Sequence, residues 1–274
     1  MKISIIIPSF NQASYIGETL DSILSQKDLD TEILVFDGGS TDGTVDIFQN
    51  YHSSLNWVSR SDKGQTDAIN QGLLQSKGDI LCYLNSDDIL LDDSLETVRS
   101  YFVNNPDCEI LYGDAYHIWE ERNVREPYPT EPWNYDRLFE TCYICQPAVF
   151  WRRSIIDRFG YFDDTLNLAM DYEYWLRVGK HVDFHWLQGR FLAGSRMYDD
   201  NKTFRLKIKA HEEFLKVTMR HANRTPYRWV EVLADLRAKE QPKDVAHTKG
   251  RLHQQTKEIE SICKAFALPI PSNE

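Results

Sequence analysis

Apolar runs and polar breaks alternate at short intervals through the first hundred residues. Ser4-Ile5-Ile6-Ile7 carries apolar residues on both faces and stops at Pro8, the mark of a buried strand. Ile16, Leu20, Ile23 and Leu24 then fall on one face of a helix. Glu32 to Phe36 is a second buried strand, ended by the Gly-rich turn Asp37 to Gly43, after which Val45, Ile47 and Phe48 predict a helix. Leu55 to Val58 reads as a weaker strand and Thr66 to Gln75 as a helix. Ile80 to Leu84 is a strand that runs into the polar cluster Asn85-Ser86-Asp87-Asp88. Strand and helix alternating at this spacing predict βαβ units, with all of these strands parallel.

In an open parallel sheet, ligands bind outside the carboxyl ends of the strands. Pro8 to Asn11, Asp37 to Asp42 and Asn85 to Asp88 all fall there. Each is a turn-forming stretch in its own right, and Asp87 or Asp88 would also serve to cap a helix expected near Asp92. Three such ends in succession predict a nucleotide-type crevice. Carboxylates there suit a hard divalent cation completed by substrate phosphates.

After residue 109 the pattern changes. Ile110 to Tyr112 predicts a strand, and the Trp/Tyr/Pro-rich stretch 119–133 predicts a loop-rich insert or a β-ribbon. Ala148 to Trp151 predicts a strand returning to the body, and Asp171 to Lys180 a helix. Beyond Asn201 the chain is helical in pattern. Phe204, Ile208, His211, Leu215 and Met219 form one apolar stripe and Trp229, Leu233 and Leu236 a second, both suited to a core. The last five residues are expected to fray.

With 274 residues and 42% apolar content, the chain can bury one large domain, or a domain with an appendage. The net charge of −11 is uneven: −17 over residues 1–200 and +6 over 201–274. A basic appendage on an acidic body predicts either packing on that body or contact with an anionic membrane surface. No stretch reaches the apolar length of a membrane span, and the opening residues are too soon interrupted for a signal peptide, which predicts a cytoplasmic protein. Five cysteines, at 82, 108, 142, 145 and 263, do not form a disulfide framework. Cys142 and Cys145 make a single Cys-x-x-Cys with no second pair, better read as buried small residues than as zinc ligands.

Five stretches taken in order resemble the inverting, nucleotide-sugar-dependent glycosyltransferases of family 2. They are Ile-Ile-Ile-Pro-Ser-Phe-Asn-Gln (5–12), Phe-Asp-Gly-Gly-Ser-Thr-Asp-Gly-Thr (36–44), Ser-Asp-Lys-Gly-Gln-Thr-Asp-Ala-Ile-Asn-Gln-Gly (61–72), Tyr-Leu-Asn-Ser-Asp-Asp (83–88) and Ala-Met-Asp-Tyr-Glu-Tyr-Trp-Leu-Arg (169–177). The resemblance implies the GT-A fold: α/β and Rossmann-like, with a mixed, mostly parallel sheet flanked by helices and followed here by a helical C-terminal extension. It implies a glycosyltransferase domain over 1–203, with a nucleotide-binding half at 1–105 and an acceptor and catalytic half at 106–203. Residues 204–274 form the extension.

The resemblance also assigns roles. Pro8, Ser9, Phe10 and Asn11 would hold the nucleotide with Asp37, which would accept from the imide N–H of uracil. Asp62, Gly64 and Asp67 would border it, Asn70 would tie its helix to neighbours, and Asn85 and Ser86 would complete the wall. Asn85 takes the first place of the family's Asp-x-Asp motif, so Asp87 would be the principal carboxylate for Mn²⁺ or Mg²⁺. Asn85 would offer a neutral oxygen, and Asp88 would help or cap the next helix. Where many relatives carry Arg-x-His, this chain has Arg196-Met197-Tyr198, a second departure that weakens the metal site, with Arg196 or Lys202 offsetting diphosphate charge. Asp171 would be the general base, a role compatible with its capping the helix it opens, and Gln146 an acceptor contact. From their number alone, Trp119, Trp133, Tyr143, Trp151 and Tyr161 are candidates for sugar stacking, against the commoner role of aromatics in the core.

The function implied is transfer of one sugar from a nucleoside diphosphate, most simply UDP, to a hydroxyl of a glycan or lipid-linked saccharide in surface polysaccharide synthesis. No nucleic-acid partner is implied, and the extension could reach the inner face of a membrane. Two other readings stay open: a catalytically weakened sugar- or nucleotide-binding module, and a nucleotidyltransferase, against which the absence of a Gly-rich basic loop near the N-terminus counts.

Overall fold

The computed structural model describes residues 1–26, 30–51, 54–222, 227–240 and 248–268; the expected fraying of the last five residues lies outside them. The chain divides into two compact units. The first is Met1–Tyr135 with Cys142–Tyr198, and the second is Asp136–Thr141 with Asp199–Glu274.

The first unit opens as the pattern predicts. The strands are β1 (Ile3–Ser9), β2 (Thr31–Asp37), β3 (Asn56–Ser59) and β4 (Ile80–Tyr83). Between them come the helices α1 (Ile16–Leu24), α2 (Thr44–Gln49) and α3 (Gln65–Gln75). These four strands are parallel and lie in the order β3-β2-β1-β4. Every residue of β1 and β4 is buried, which is why both read as unbroken apolar runs. The exposed first half of β3, Asn56 and Trp57, explains its weaker signal.

The rest of the sheet is mixed. It comprises β5 (Ile89–Leu90), β6 (Ile110–Trp119), β7 (Val124–Pro127), β8 (Val149–Arg152) and β9 (Phe184–Met197), and continues from β4 as β8-β6-β9-β5. Here β8 is antiparallel to β4 and β6, β9 is parallel to β6, and β5 is antiparallel to β9. The ribbon expected within 119–133 exists as the β6–β7 hairpin, pairing Tyr116–Trp119 with Val124–Pro127. The 14-residue β9 has no counterpart in the sequence pattern. Its register against β6 slips around Gly113 and Asp114, and its middle residues Gln188-Gly189-Arg190 are exposed, which erases the period.

Helix α4 (Ser94–Asn104) follows β5, and α5 (Tyr135–Leu138) precedes β8. Helices α6 (Ser154–Phe159) and α7 (Met170–Gly179) separate β8 from β9. The second unit holds α8 (Lys202–Arg205), α9 (Lys207–His221), α10 (Tyr227–Glu240) and α11 (Thr248–Ala265). Its core takes in Leu215 from the first expected stripe and Trp229 and Leu233 from the second. Among the described residues, no helix is long and apolar enough to cross a membrane.

One glycine shows how tightly the turn between α3 and β4 packs on β1. A Cβ at Gly78 would lie 2.5 Å from Ser4 Oγ and 2.6 Å from Ser4 N. Gly78 N–H donates to that same Oγ at 2.7 Å. Because the obstruction includes backbone of a fully buried strand, Gly78→Ala is expected to cost about 2–3 kcal/mol, read as a lower urea midpoint at unchanged slope.

Candidate active site

The carboxyl ends of the parallel strands lie in register, Ser9 beside Asp37 and Asp37 beside Ser59. The loops that leave them clamp one another. Asn11 N–H donates to Ser40 Oγ at 2.7 Å, Thr41 N–H to Asn11 Oδ1 at 2.9 Å, and Ala13 N–H to Asp42 Oδ2 at 3.0 Å. Asn11 holds φ at +52°, a left-handed conformation that asparagine tolerates.

Asp37 is buried and fully employed. Its Oδ2 accepts from Gly39 N–H (3.0 Å), Ser40 N–H (2.8 Å) and the Ser59 hydroxyl (2.6 Å), and its Oδ1 accepts from the Ser40 hydroxyl (2.5 Å). Four donors match the capacity of one carboxylate. Where a free acceptor was expected, the structure has the post on which the Gly38–Ser40 turn is built.

Beside that turn the surface opens. Phe10 is 60% exposed. A Cβ on Gly38 would come 3.3 Å from the Phe10 ring and 3.2 Å from Asp62 Oδ2, so the bare glycine lets both side chains approach. Asp62 Oδ1 accepts from Gly64 N–H at 2.8 Å. Burial raises the Asp62 carboxyl; the Gly64 bond opposes this, while the charges of Asp67 and Asp37 add to it. Asp67 itself ties the first turn of α3, accepting from Lys63 N–H and Gln71 Nε2. Two buried atoms at this mouth, Ser9 Oγ and Gln12 Oε1, have no hydrogen-bond partner among the described residues. Buried polar atoms of that kind call for a partner from a ligand or a water.

The acidic cluster is held from several directions. Asp88 Oδ1 accepts from Arg196 N–H and Oδ2 from Asn85 Nδ2, both at 3.0 Å. Asp87 Oδ2 accepts from the Tyr198 hydroxyl at 2.7 Å. Burial pushes both carboxyls up, Asp88 to about 7 with the neighbouring Asp87 charge adding to the effect. The Tyr198 hydroxyl and Arg196 pull Asp87 partly back. Neither aspartate caps a helix: β5 intervenes, and α4 starts behind Asp93, with φ at +59° and no side-chain cap.

Three residues differ here from their expected parts. The carbonyl oxygen of Asn85 is already taken by Gln65 Nε2 at 2.7 Å and its amide is turned to Asp88, so it donates where a cation ligand was expected. Gln146, expected at the acceptor, is buried; its Nε2 donates to Tyr83 O at 2.7 Å and its Oε1 faces Asn85. Arg196, expected at the diphosphate, is only 3% exposed. Its guanidinium pairs with Glu18 and Glu120, donates to Asp87 O at 2.8 Å and lies over the Tyr15 ring. Lys202 belongs to the second unit, as the first residue of α8.

Asp171 lies half-buried in the first turn of α7 and accepts from Tyr172 N–H at 2.8 Å. Ala169 is the N-cap, so Asp171 does not cap, yet the helix N-terminus favours its charge. Asp171 and Asp88 both push up the Tyr83 phenol and the Cys145 thiol, which burial has already raised. Both charges therefore lie within electrostatic reach of the same pair of buried groups. Asn70 ties α3 to the segment before α7 through two bonds with the Phe162 backbone. Of the aromatic candidates, Tyr143 and Trp151 are core, Trp133 stacks on Phe184 and Arg122 lies over Trp119, while Tyr161 is exposed.

Sequence reasoning missed the parts of Gln12, Gln65, Ser40 and Ser59, although the first three lie inside the quoted stretches. A divalent cation suits the cluster chemically, because two buried like charges with raised carboxyls are relieved by one. No group of three or more His, Cys, Asp and Glu could hold a metal among the described residues, so phosphate and water oxygens would fill the remaining places.

Residues 4–159 match the family profile described as Glycosyl transferase family 2. A PGL/p-HBAD biosynthesis glycosyltransferase of Mycobacterium bovis (strain BCG / Pasteur 1173P2) is 32% identical over 179 residues, which span 64% of this chain and 68% of that protein. Among solved structures, S. aureus TarS 1-349 in complex with UDP-GlcNAc matches 99% of this chain and 82% of its own, at TM-score 0.64 and 18% identity. Against a longer TarS structure this chain spans 49% of the length. A mannosyltransferase from Pyrobaculum calidifontis in complex with GDP-Man and Mn²⁺ matches 97% of this chain and 74% of its own, at TM-score 0.59 and 17% identity. At these identities the structural likeness is one of fold.

Proposed function

The chain belongs to glycosyl transferase family 2, and from that premise we propose that it moves a sugar from a nucleoside-diphosphate donor, UDP-linked, to a hydroxyl of a glycan or lipid-linked saccharide, with inversion at the anomeric carbon. It is a glycosyltransferase of GT-A fold, and the finer reading rests chiefly on one observation. Asp88 and Asp171, from opposite halves of the first unit, both lie within electrostatic reach of Tyr83 and Cys145, and Tyr83 O is held by Gln146, which Asn85 joins to Asp88. That convergence supports a donor end and a base end of one crevice.

In this reading the base stacks on Phe10 over the Gly38 turn, within reach of Ser9, Asn11, Asp62 and Gly64, while Asp37 fixes the turn. Asp67 shapes the first turn of α3, and Pro8 and Ser86 line the wall. Asp87 would hold a divalent cation, Mn²⁺ or Mg²⁺, with Asp88 as the adjacent charge; when bound, the ion would supply Lewis-acid neutralisation of the leaving diphosphate. The acceptor hydroxyl attacks the anomeric carbon from the face opposite the diphosphate, its proton passes to Asp171, and the bond to the diphosphate oxygen breaks. Most of the protein's contribution is positioning. Residues 1–105 would thus form the donor half and 106–203 the acceptor half. In the helical remainder, exposed Arg205, Lys207, Lys209, Lys216 and Arg220 support peripheral contact with an anionic membrane surface.

A saturating mixture of UDP and Mn²⁺, about 100 times Kd, is expected to stabilise the protein by about 2.7 kcal/mol and to raise Tm by roughly 5–10 °C. Differential scanning fluorimetry with UDP, GDP and ADP in parallel reads it. A shift with GDP and none with UDP overturns the uracil assignment, and no shift with any of the three overturns the donor crevice.

A further inference from the structure

Tyr198 is tied to the acidic cluster more firmly than a bystander. It follows the end of β9, and its hydroxyl donates to Asp87 Oδ2 at 2.7 Å. The one phenolic proton is thereby committed to Asp87. The ring packs against Tyr15, with centroids 4.8 Å apart and planes tilted by 33°. Tyr15 is itself pinned by the Arg196 guanidinium, 5.0 Å from its ring centroid, which Glu18, Glu120 and Asp87 O hold in place.

Resting on the reading of Asp87 as the cation carboxylate, we propose that Tyr198 is a latch on that carboxylate: its hydroxyl occupies one of the two oxygens open to a divalent cation, and so sets how weakly this protein holds the cation. Asp87 has few oxygens to spare. Asp88 is already committed to Arg196 N–H and Asn85, and the Asn85 oxygen to Gln65. A cation that uses both oxygens of Asp87, or Oδ2 alone, must therefore displace the phenol. A hydrogen bond to a charged group is a strong competitor, one whose loss shifts an equilibrium by tenfold or more. Tyr198 is on this account a positioning residue, acting through Asp87, and it makes cation occupancy depend on the donor's phosphates to outbid the latch.

The test is Tyr198→Phe, which keeps the ring on Tyr15 and removes only the hydroxyl. Free Mn²⁺ is followed by electron paramagnetic resonance as protein is titrated with MnCl₂, with and without UDP, for wild type, Tyr198→Phe and Asp87→Asn. The expected result is Mn²⁺ held about tenfold more tightly by Tyr198→Phe than by wild type in the absence of UDP, a smaller gap with UDP present, and binding lost in Asp87→Asn. Melting curves give a second readout that needs no turnover: the variant melts lower than wild type without metal and gains more from Mn²⁺. If wild type binds Mn²⁺ through Asp87 while Tyr198→Phe binds equally or more weakly, the latch is wrong and the reading of Asp87 survives. If Asp87→Asn binds Mn²⁺ as wild type does, or no form binds it with or without UDP, the cation reading fails and the latch with it.

Discussion

Asp171→Asn is expected to fold, to bind UDP within about twofold of wild type, and to lose transfer by roughly a thousandfold, since a general base contributes about 10²–10⁴ in rate. The asparagine keeps the shape and the oxygen that accepts from Tyr172 N–H in the first turn of α7. It removes the one property the reaction asks of this position, a lone pair able to take the acceptor's proton. Titration calorimetry with UDP, beside initial rates of sugar transfer, separates the two effects. Normal turnover in the variant would place the base elsewhere, and loss of UDP binding would make Asp171 a structural residue of the crevice.

The second large effect is expected at the opposite end. Asp37→Ala strips the acceptor from two backbone N–H groups and two hydroxyls at once. Leaving buried donors unpaired costs about 1–3 kcal/mol for each group that finds no water, so a loss of roughly 3–5 kcal/mol is expected. Because the Gly38–Ser40 turn carries the surface under Phe10, nucleotide affinity should fall with stability. Asp37→Asn discriminates: if Asp37 acts by building the turn, its amide faces donors with a donor, and both melting temperature and UDP affinity drop. A variant that melts like wild type and fails only to discriminate uracil would return Asp37 to direct reading of the base.

These two positions also show what a sequence discloses and what it withholds. Strands β1, β2 and β4 were legible because both faces are buried and each run ends in a turn, and α7 because its apolar residues outnumber its breaks. Strand β9 was not, since its solvent-facing middle carries no period and its partners are brought to it from far along the chain. The polar loops at the strand ends were legible as a group, but the orientation of each side chain was not. Nothing in the string tells that Ser40 and Ser59 fill Asp37, or that Gln65 turns the Asn85 amide toward Asp88. Arg196 reads as a cation free to meet a diphosphate. Its burial follows from Glu18 and Glu120, whose proximity only the fold creates.

That knot has a consequence for how the molecule comes into being. Arg196 joins β9 to α1 through Glu18, 178 positions away, and to the acidic loop through Asp87, 109 positions away. Contacts so distant along the chain close late, because the loop entropy must be met before they return anything. A nascent chain that has already formed β1 to β4 can hold its acidic loop through Thr19 and Gln65, but lacks the ties to Asp87 and Asp88 until residue 196 clears the ribosome. The enzyme's first half acquires its shape early and its working order last.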